Sequence, residues 1–415
     1  MLNRRSFLWT TAAALRAAGE PKRIAAIVTE YRPNSHADVV VGKYLEGYRQ
    51  DGRPPKPRSS IVSLYTAQVP PNDLSRERAQ KYGVPIFPTI AEALTLGKGR
   101  LAVDGVLLIG EHGDYPANEK DQKLYPRFQF FTEITDVFRK TGRAVPVFND
   151  KHLSYSWAKA KRMVEISREL KFPMLAGSSV PVAYRKPQAE TPLGANVRHA
   201  VAISYSGIEI YGFHLLESLQ CMVERRGRGE TGVAGVRCLE NEAVWKYLDQ
   251  TPWAQELFDE AIIRSETRTP GPLRDAAKAP VAFLIDYRDG LKAAAFLMTG
   301  AVKDFTVALD IEGAAPLSLL MWLEDGKPYG HFACLVRNIE EMFETGAPPY
   351  PVERTLLTSG ILDFALESRF RGYKRISTPE LDVRYRVDGS SHFCRNASGV
   401  ASEPRVNPHA DSVKA

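Results

Sequence analysis

The chain has 415 residues, 44% of them hydrophobic and 25% charged, which describes a globular protein large enough for two domains. Its formal charge of +6 comes from 55 basic and 49 acidic residues mixed along the chain, a distribution that disfavours a nucleic-acid partner. No apolar run reaches the roughly 18 residues that a membrane span needs. The four cysteines form no CxxC pair, which disfavours a zinc ribbon or a disulfide scaffold.

The first 20 residues are predicted to be an export signal rather than part of the fold. Arg4 and Arg5 stand together in "NRRSFLWTTAAALRAAGEP", followed by Phe7, Leu8 and a short Ala/Thr-rich stretch. This arrangement resembles a twin-arginine signal. We therefore expect a periplasmic or extracytoplasmic protein that crosses the membrane already folded, carrying any cofactor acquired in the cytoplasm.

Residues 21–179 alternate between short apolar runs and segments with helical spacing. The apolar runs are "RIAAIV", "SSIVSLYT", "VDGVLLIG", "AVPVFND" and "FPMLAGSS". Strands separated by helices at this spacing indicate βαβ units on a parallel sheet. The pattern predicts a doubly wound, Rossmann-like α/β domain of the nucleotide-binding type.

Residues 180–390 have a different texture, and residues 391–415 are interpreted as a tail. "APVAFLIDYRDGLKAAAFLMTG", "DFTVALDIEG" and "PLSLLMWLEDG" read as strands joined by the turns "RDG", "EG" and "EDG". Helical segments lie between these runs. The pattern predicts an α+β domain with a mainly antiparallel open sheet, expected to bind substrate and to form a homo-oligomer through that sheet.

Five segments in order resemble the Gfo/Idh/MocA oxidoreductases, the relatives of glucose-fructose oxidoreductase and inositol dehydrogenase. They are "RIAAIV", "YGVPIFPTIAEAL", "VDGVLLIGEHGDY", "VFNDKHLSYSWAKAKRMVEIS" and "YGFHLLESLQCM". The match covers roughly residues 22 to 250. The resemblance implies a tightly held NAD or NADP and a sugar or cyclitol substrate whose hydroxyl is oxidised.

The predicted cofactor loops depart from the family pattern. The first strand should lead into a glycine-rich turn, but "TEYRPNSHAD" has no glycine from Thr29 to Asp38. Glu30 would repel a phosphate there, whereas Arg32 could neutralise one. Asn34 and Ser35 are expected to cap the next helix, which we expect His36 to begin.

The second cofactor-facing loop, "GEHGDYP", begins at Gly110 and carries Glu111, His112 and Asp114 at the end of a strand. Ligands bind at that end of open α/β sheets. His112 falls where the family usually has an asparagine. Turn chemistry alone accounts for Gly113 and Asp114, so we interpret His112 as functional.

The segment "NDKH" places Asp150, Lys151 and His152 after the apolar "AVPVF". Lys151 matches the family lysine that lies beside the nicotinamide and hydrogen-bonds the reacting hydroxyl, and Asp150 is predicted to face the cofactor. A lysine held beside a carboxylate can stabilise an alkoxide as hydride leaves. The alternative is an ordinary surface lysine near a turn.

In "YGFHLLESLQCM", His214 and Glu217 are three residues apart and share one face of a helix. His214 matches the family's general base, and Glu217 is expected to orient its imidazole. The family's usual aspartate, four residues earlier, is Ile210 here. Glu209 lies next to it and could replace it only if the backbone shifts. A core histidine satisfied by a neighbouring carboxylate is the alternative.

Two other functions stay open on the same scaffold. One is a dinucleotide-free carbohydrate lyase or hydrolase that uses a divalent metal. The other is a non-catalytic sugar-binding protein. The missing glycines favour both, whereas the retained lysine and histidine favour an enzyme. The candidate metal ligands are Glu111, His112, Asp114, His152 and His214.

Overall fold

The fold is described from a computed structural model, which covers residues 20–48, 56–324, 326 and 329–395. The predicted signal segment lies outside the described residues, except for Glu20. The first sheet is entirely parallel and has the strand order β2-β1-β3-β4-β5. Its strands are β1 (Arg23–Val28), β2 (Ser60–Thr66), β3 (Gly105–Ile109), β4 (Val147–Asp150) and β5 (Met174–Gly177).

Helices join the strands of this sheet, as the alternating pattern predicts. They are α1 (His36–Glu46), α2 (Ser75–Tyr82), α3 (Ile90–Thr95), α4 (Arg127–Thr141) and α5 (Trp157–Glu169). The central strand β3 is buried along its whole length, as expected for a strand with helices on both faces. The predicted doubly wound α/β architecture is confirmed.

The second sheet has eight strands in the order β13-β8-β9-β10-β7-β11-β12-β6. All neighbouring strands pair antiparallel except β10 and β7. The strands are β6 (Tyr184–Lys186), β7 (Val197–Ser204), β8 (Val233–Glu240), β9 (Val281–Tyr287), β10 (Lys292–Leu297), β11 (Phe305–Ile311), β12 (Leu317–Trp322) and β13 (Ile376–Ser377).

The predicted antiparallel sheet is confirmed, with two differences in detail. The turns "RDG" and "EG" do join the hairpins β9–β10 and β11–β12. The earlier strand β7, however, lies between β10 and β11, which makes its pairing with β10 parallel. After β12 ends at Trp322, the next described element is a helix that begins at Gly330, so the predicted turn "EDG" is not followed by another strand.

Helices cover both faces of the second sheet. Residues of α8 pack on β7, β11 and β12, whereas α6 and α11 pack on the opposite face. Stacking two copies through this sheet would therefore require displacement of a covering helix, and the homo-oligomer stays a prediction. The helices of this part are α6 (Ile210–Val223), α7 (Glu242–Gln250), α8 (Pro252–Ile262), α9 (Leu273–Ala276), α10 (Gly330–Thr345) and α11 (Glu353–Phe370).

Helix α10 returns to the first sheet and is fixed there. Its Phe343 packs against Gly105 of β3, and Glu340 accepts hydrogen bonds from the backbone and hydroxyl of Ser59. A disulfide joins Cys334 of this helix to Cys394, a pairing that the cysteine spacing did not indicate. None of the described helices has the length and apolar character needed to cross a bilayer.

Candidate functional site

Polar side chains converge at the carboxyl end of the parallel sheet. Thr29 follows β1 and Glu111 follows β3. Asp150 is the last residue of β4, and Lys151 comes directly after it. The hydroxyl of Thr29 donates to the backbone oxygen of Glu111 at 2.6 Å, which ties the first two loops together. Because the carboxyl ends of parallel strands share one edge, residues far apart in sequence meet there.

Glu111 is the centre of a buried group of charges. Its Oε1 accepts from Nζ of Lys151 at 2.9 Å, and its Oε2 accepts from Arg127 of α4. All three side chains are at most 4% exposed. Burial of the carboxyl favours its neutral form, but the two cations outweigh that effect and hold the pKa of Glu111 well below its usual range.

Gly110 has a structural reason to be glycine at this edge. A Cβ at that position would lie 2.6 Å from Cγ of Arg127, so any side chain would displace the arginine from Glu111. Gly110 was predicted to face a cofactor. The structure shows that it also makes room for the buried arginine.

Lys151 is a buried, positioned lysine and not a surface residue. Its side chain is 4% exposed, and its backbone has a φ of 53°, in the left-handed region that residues other than glycine adopt uncommonly. The backbone N–H donates to the oxygen of Gly177 at 3.2 Å, which helps to hold this conformation. The surface-lysine alternative is therefore wrong.

Asp150 binds a residue of the first helix. Its Oδ2 accepts from Nδ1 of His36 at 2.7 Å, although the two residues are 114 positions apart. Its Oδ1 is buried and has no hydrogen-bond partner. His36 begins α1 as predicted, and the Ser35 hydroxyl caps that helix by accepting from the N–H of Asp38. The second predicted cap, Asn34, instead accepts a hydrogen bond from the hydroxyl of Tyr329.

In the loop after β1, Arg32 forms an ion pair with Glu30. Nε of Arg32 donates to Glu30 at 2.6 Å, and its Nη2 donates to Nδ1 of His112 at 3.3 Å. Burial lowers the pKa of His112 to about 3, and the positive charges of His36 and Lys151 act in the same direction. Nε2 of His112 is buried without a partner. Arg32 thus links the loops after β1 and β3.

His214 lies on α6, among aromatic rings. The rings of Tyr211, Phe213 and Phe305 lie 5.9 to 6.3 Å from it, and its Nδ1 is buried without a hydrogen-bond partner. Burial holds the pKa of His214 well below its usual range, and the charge of Lys151 is the second cause. His214 is therefore a neutral imidazole under the influence of Lys151, which comes from the first sheet.

Glu217 does not orient His214, so that prediction is wrong. Its carboxylate accepts from the backbone N–H of Ser178 at 2.7 Å and from the hydroxyl of Thr355 at 3.1 Å. The shared helix face therefore brings Glu217 to the end of β5 and to α11 instead of the imidazole. Burial raises the pKa of Glu217 to about 7.

His152 and Glu209 approach each other beside Arg127. Nη1 of Arg127 donates to Nε2 of His152 at 3.1 Å. The Nε2 atom of His152 also lies 3.9 Å from Oε1 of Glu209. That carboxylate oxygen and Nδ1 of His152 are buried without partners. Burial raises the pKa of Glu209 to about 7. Glu209 is a carboxylic acid that changes charge near neutral pH.

Two hydrogen bonds cross the carboxyl end of β1. The side-chain amide of Gln68, which follows β2, donates to the backbone oxygen of Asp114 at 3.0 Å. Its oxygen accepts from the N–H of Asp114 at 2.8 Å. In the strand order β2-β1-β3 these bonds connect the two loops that flank β1, above the position where a doubly wound sheet binds a dinucleotide.

The five residues proposed as metal ligands do not form a common site. Among the described residues, no group of three histidine, cysteine, aspartate or glutamate side chains is arranged to hold a metal ion. The carboxylate of Glu111 is already engaged by two cations, and Asp114 is exposed. The structure does not support the metal-dependent alternative.

Arg127 and His36 are site residues that the sequence did not reveal. Arg127 begins an amphipathic helix, where an arginine is ordinarily solvated, yet it is fully buried. His36 was interpreted only as the start of α1. No local feature of the sequence around Arg127 indicates its distant partner.

Structural comparisons identify dehydrogenases with this fold. GenD2 from gentamicin A biosynthesis, in complex with NAD, has a TM-score of 0.55 and 12% identity, covering 86% of this chain and 96% of that one. An oxidoreductase from Agrobacterium radiobacter in complex with NAD+, L-tartaric acid and magnesium has a TM-score of 0.52 and 12% identity, covering 86% and 98%.

The apo scyllo-inositol dehydrogenase from Lactobacillus casei has a TM-score of 0.52 at 8% identity, with 86% of this chain and 98% of that chain covered. No protein-family model and no curated sequence matches the chain. At these identities the similarity concerns the fold. The chain therefore has the two-part fold of the Gfo/Idh/MocA-type dehydrogenases.

Proposed function

We propose that this protein is an oxidoreductase that uses NAD or NADP to oxidise a hydroxyl group of a sugar or cyclitol. One observation carries the proposal. The buried Lys151, whose Nζ donates to Glu111 at 2.9 Å, acts electrostatically on His214 of α6, whose buried Nδ1 has no protein partner. Both residues occupy the positions that the family resemblance assigns to the hydroxyl ligand and the base.

The described residues fit a dinucleotide at its nicotinamide end. Asp150 Oδ1, His112 Nε2 and Glu209 Oε1 are buried polar atoms without protein partners, and a ligand rich in amide and hydroxyl groups can satisfy them. At the phosphate end Arg32 is the available cation, and its side chain is 35% exposed. Glu30 opposes it there, so we expect that end to bind weakly.

The chemistry follows from the protonation states of the two residues. Neutral His214 can accept the hydroxyl proton, since its imidazole carries no charge near neutral pH. Lys151, fixed by Glu111, can donate a hydrogen bond to the oxygen on which negative charge develops. A bound nicotinamide ring would supply the hydride acceptor. Glu111 thus acts as a positioning residue.

The substrate class rests on the fold and on the polar character of the site. The names of similar structures include myo-inositol 2-dehydrogenase and scyllo-inositol dehydrogenase. The unpartnered atoms at the site include both acceptors and ring nitrogens, which suits hydroxyl groups because each can donate and accept. We therefore propose a neutral polyhydroxylated substrate.

The decisive experiment is to denature the purified protein and analyse the supernatant by mass spectrometry and absorbance. Released NAD or NADP would support the proposal. Calorimetric titration of the apoprotein should then show weak binding, and Glu30→Gly should tighten it because Arg32 would be free for a phosphate. Glu77→Gly, a first-turn acid of α2, is the control. No binding by either form would overturn the proposal.

A dinucleotide-free sugar-binding or lyase function is the second candidate. The observation that favours it is the pair of hydrogen bonds between Gln68 and Asp114, which cross the end of β1 where the dinucleotide would lie. On this proposal a panel of sugars and cyclitols should raise the melting temperature without added dinucleotide. Stabilisation that requires NAD would exclude it.

We also propose export by the twin-arginine route. The disulfide between Cys334 and Cys394 supports export, since such bonds persist mainly in oxidising compartments. Replacing Arg4 and Arg5 together with lysine should leave the protein in the cytoplasm, as cell fractionation would show. Unchanged fractionation of the double variant would contradict export.

A further inference from the structure

A cavity of about 660 Å³ lies at the far end of the second sheet, in the range of small-molecule sites. It does not include the candidate site. Four segments form its wall: the start of β7, the loop after α6, the β9–β10 turn and an extended segment near Tyr385. The lining residues that matter are Arg226, Arg228, Thr231, Asp289, Arg384 and Arg386.

One side of the cavity is formed by hydrogen bonds between one arginine and two acids. Buried Arg226 donates to both carboxylate oxygens of Glu230, at 2.9 and 3.1 Å, and to Asp289 at 2.9 Å. Its guanidinium lies 4.6 Å from the ring centroid of Tyr287. Arg226 is thus fully engaged by Glu230 and Asp289, so any excess of positive charge in the cavity must come from its other arginines.

Two other arginines of the cavity lack an acidic partner. Arg228 and Arg386 are exposed, and no carboxylate of the described residues forms an ion pair with either. The segments that carry them are held together closely: a Cβ at Gly229 would lie 2.7 Å from the oxygen of Tyr385 and 2.8 Å from Cγ of Arg386. Two like charges are thus held on adjoining segments.

A buried hydroxyl adds a neutral hydrogen-bonding group. Oγ1 of Thr231, which lines the same cavity, is buried and has no hydrogen-bond partner. A second cavity of about 400 Å³ adjoins the first, and Arg228 and Arg386 line both. The two arginines therefore stand at the junction of the cavities, where one ligand can contact both.

We propose that this cavity binds a small molecule through a tetrahedral oxyanion, a phosphate or a sulfate, held between Arg228 and Arg386. Guanidinium groups bind such anions through paired, charge-assisted hydrogen bonds. The cavity is separate from the candidate active site. His214 lies in α6 and Arg226 lies just after the end of that helix, 12 residues later. In a helix this separation corresponds to roughly 18 Å.

The test is calorimetric titration of the full chain with inorganic phosphate, inorganic sulfate, a monosaccharide phosphate and a monosaccharide sulfate at low ionic strength. We expect the Arg228→Gln/Arg386→Gln variant to bind at least roughly 10-fold more weakly, the scale of losing charge-assisted hydrogen bonds. Arg384→Gln is the matched control. It lines the same cavity, but its guanidinium already donates to Asp382 at 2.7 Å, so affinity should change little.

The ester that binds more tightly than its inorganic ion identifies which oxyanion the ligand carries. Circular dichroism and the melting temperature should be the same for all variants, because all three substituted residues are exposed. Absence of binding to the unmodified chain would overturn the proposal. Equal affinity in the double variant, or an equal loss in Arg384→Gln, would show adventitious attraction to positive charge and would overturn it as well.

Discussion

Two buried polar clusters of this molecule differ in how completely they are satisfied. The first, the edge cluster, lies at the carboxyl end of the parallel sheet and comprises Glu111, His112, Arg127, Asp150, Lys151, His152, Glu209 and His214. The second, the Glu224 network, lies among α6, the loop after it, α11 and the extended segment after β13, and comprises Gln220, Glu224, Arg226, Glu230, Arg354 and Tyr385.

In the Glu224 network nearly every polar atom has a protein partner. Arg354 donates to Glu224 from two of its nitrogens, and the hydroxyl of Tyr385 donates to the same carboxylate at 2.8 Å. Gln220 donates to both Glu230 and Tyr385. Among the buried side-chain atoms of these six described residues, the exception is Nη1 of Arg354, which has no hydrogen-bond partner.

The edge cluster is mostly buried too, with His112 and His214 partly exposed, but it leaves six side-chain atoms unpartnered, one in each of six residues. They belong to His112, Arg127, Asp150, His152, Glu209 and His214. A buried polar atom without a partner is costly, so a protein retains several together where a ligand can satisfy them. Burial of charge alone therefore does not indicate function, whereas several neighbouring buried groups without partners do.

The largest expected effect comes from breaking the satisfied network. Arg354→Met leaves the Glu224 charge buried without its cation, which should lower the free energy of unfolding by about 3 to 5 kcal/mol in urea denaturation. The control is Arg371→Met at the end of the same helix, where an exposed pair with Glu367 contributes less than about 1 kcal/mol. A loss below that level in Arg354→Met would mean that the network is not structural.

At the edge cluster we expect lost turnover instead of lost stability. Lys151→Ala and His214→Ala should each lower turnover by roughly 100-fold or more, the scale of losing a positioned proton-transfer group. NADH formation with a sugar and cyclitol panel measures it. Glu111 keeps Arg127 as a partner in Lys151→Ala, so the fold should survive. Lys161→Ala, an exposed lysine of α5, is the control. Unchanged turnover would remove these residues from the mechanism.

The pH dependence of stability should report Glu217, which connects α6 with α11. Its folded pKa of about 7 exceeds the ordinary glutamate pKa of 4.5, so the folded state holds the proton more tightly. Its contribution is therefore fully present below about pH 4.5 and is lost as the pH rises to about 7. Glu217→Gln should flatten the decline of the melting temperature across this window by the equivalent of a few kcal/mol.

Calorimetry of Glu217→Gln and of Glu133→Gln provides the comparison. Glu133 is a less buried acid of α4, and burial raises its pKa too, without the large shift of Glu217. An unchanged slope in Glu217→Gln would show that its carboxyl ionises normally in the folded protein. It would also mean that the buried carboxyl of Glu217 behaves no differently from the less buried carboxyl of Glu133.

The smallest effect is expected from Glu209→Gln, which tests the incomplete pairing directly. At pH 8 the carboxylate is charged and one oxygen has no partner, so the amide should leave stability unchanged or raise it by up to about 1 kcal/mol. At pH 5 the difference should vanish, because the acid is then protonated. Glu230→Gln in the satisfied network should instead destabilise. A loss in both variants would erase the contrast between the clusters.

The sequence predicted what depends on local patterns and order along the chain. Alternating apolar runs and helical spacing identified the parallel sheet, and the polar residues before α1 identified Ser35 as its cap. Lys151 was identified by its place after an apolar run and by its match to the family lysine. Sheet and cap were predictable from neighbouring residues, since strand burial and helix capping are decided within one or two turns of chain.

The pairings of the candidate site were beyond such patterns. The bond between His36 and Asp150 joins residues 114 positions apart, and Arg127 looks like a surface residue until β3 brings Glu111 beside it. Glu217 shows the opposite failure. Glu217 does lie three residues after His214 on the helix, but its carboxylate accepts hydrogen bonds from Ser178 and Thr355 and not from the imidazole. Competition among distant partners cannot be resolved from spacing.

The disulfide between Cys334 and Cys394 has a consequence for the order of biosynthesis. Cys394 leaves the ribosome after every strand of both sheets, the last of which ends at Ser377. The cross-link therefore cannot form before the described strands of both sheets have been synthesised. The fold brings the two Cα atoms to 5.8 Å, and the disulfide fastens the final described segment to the helix that covers the first sheet.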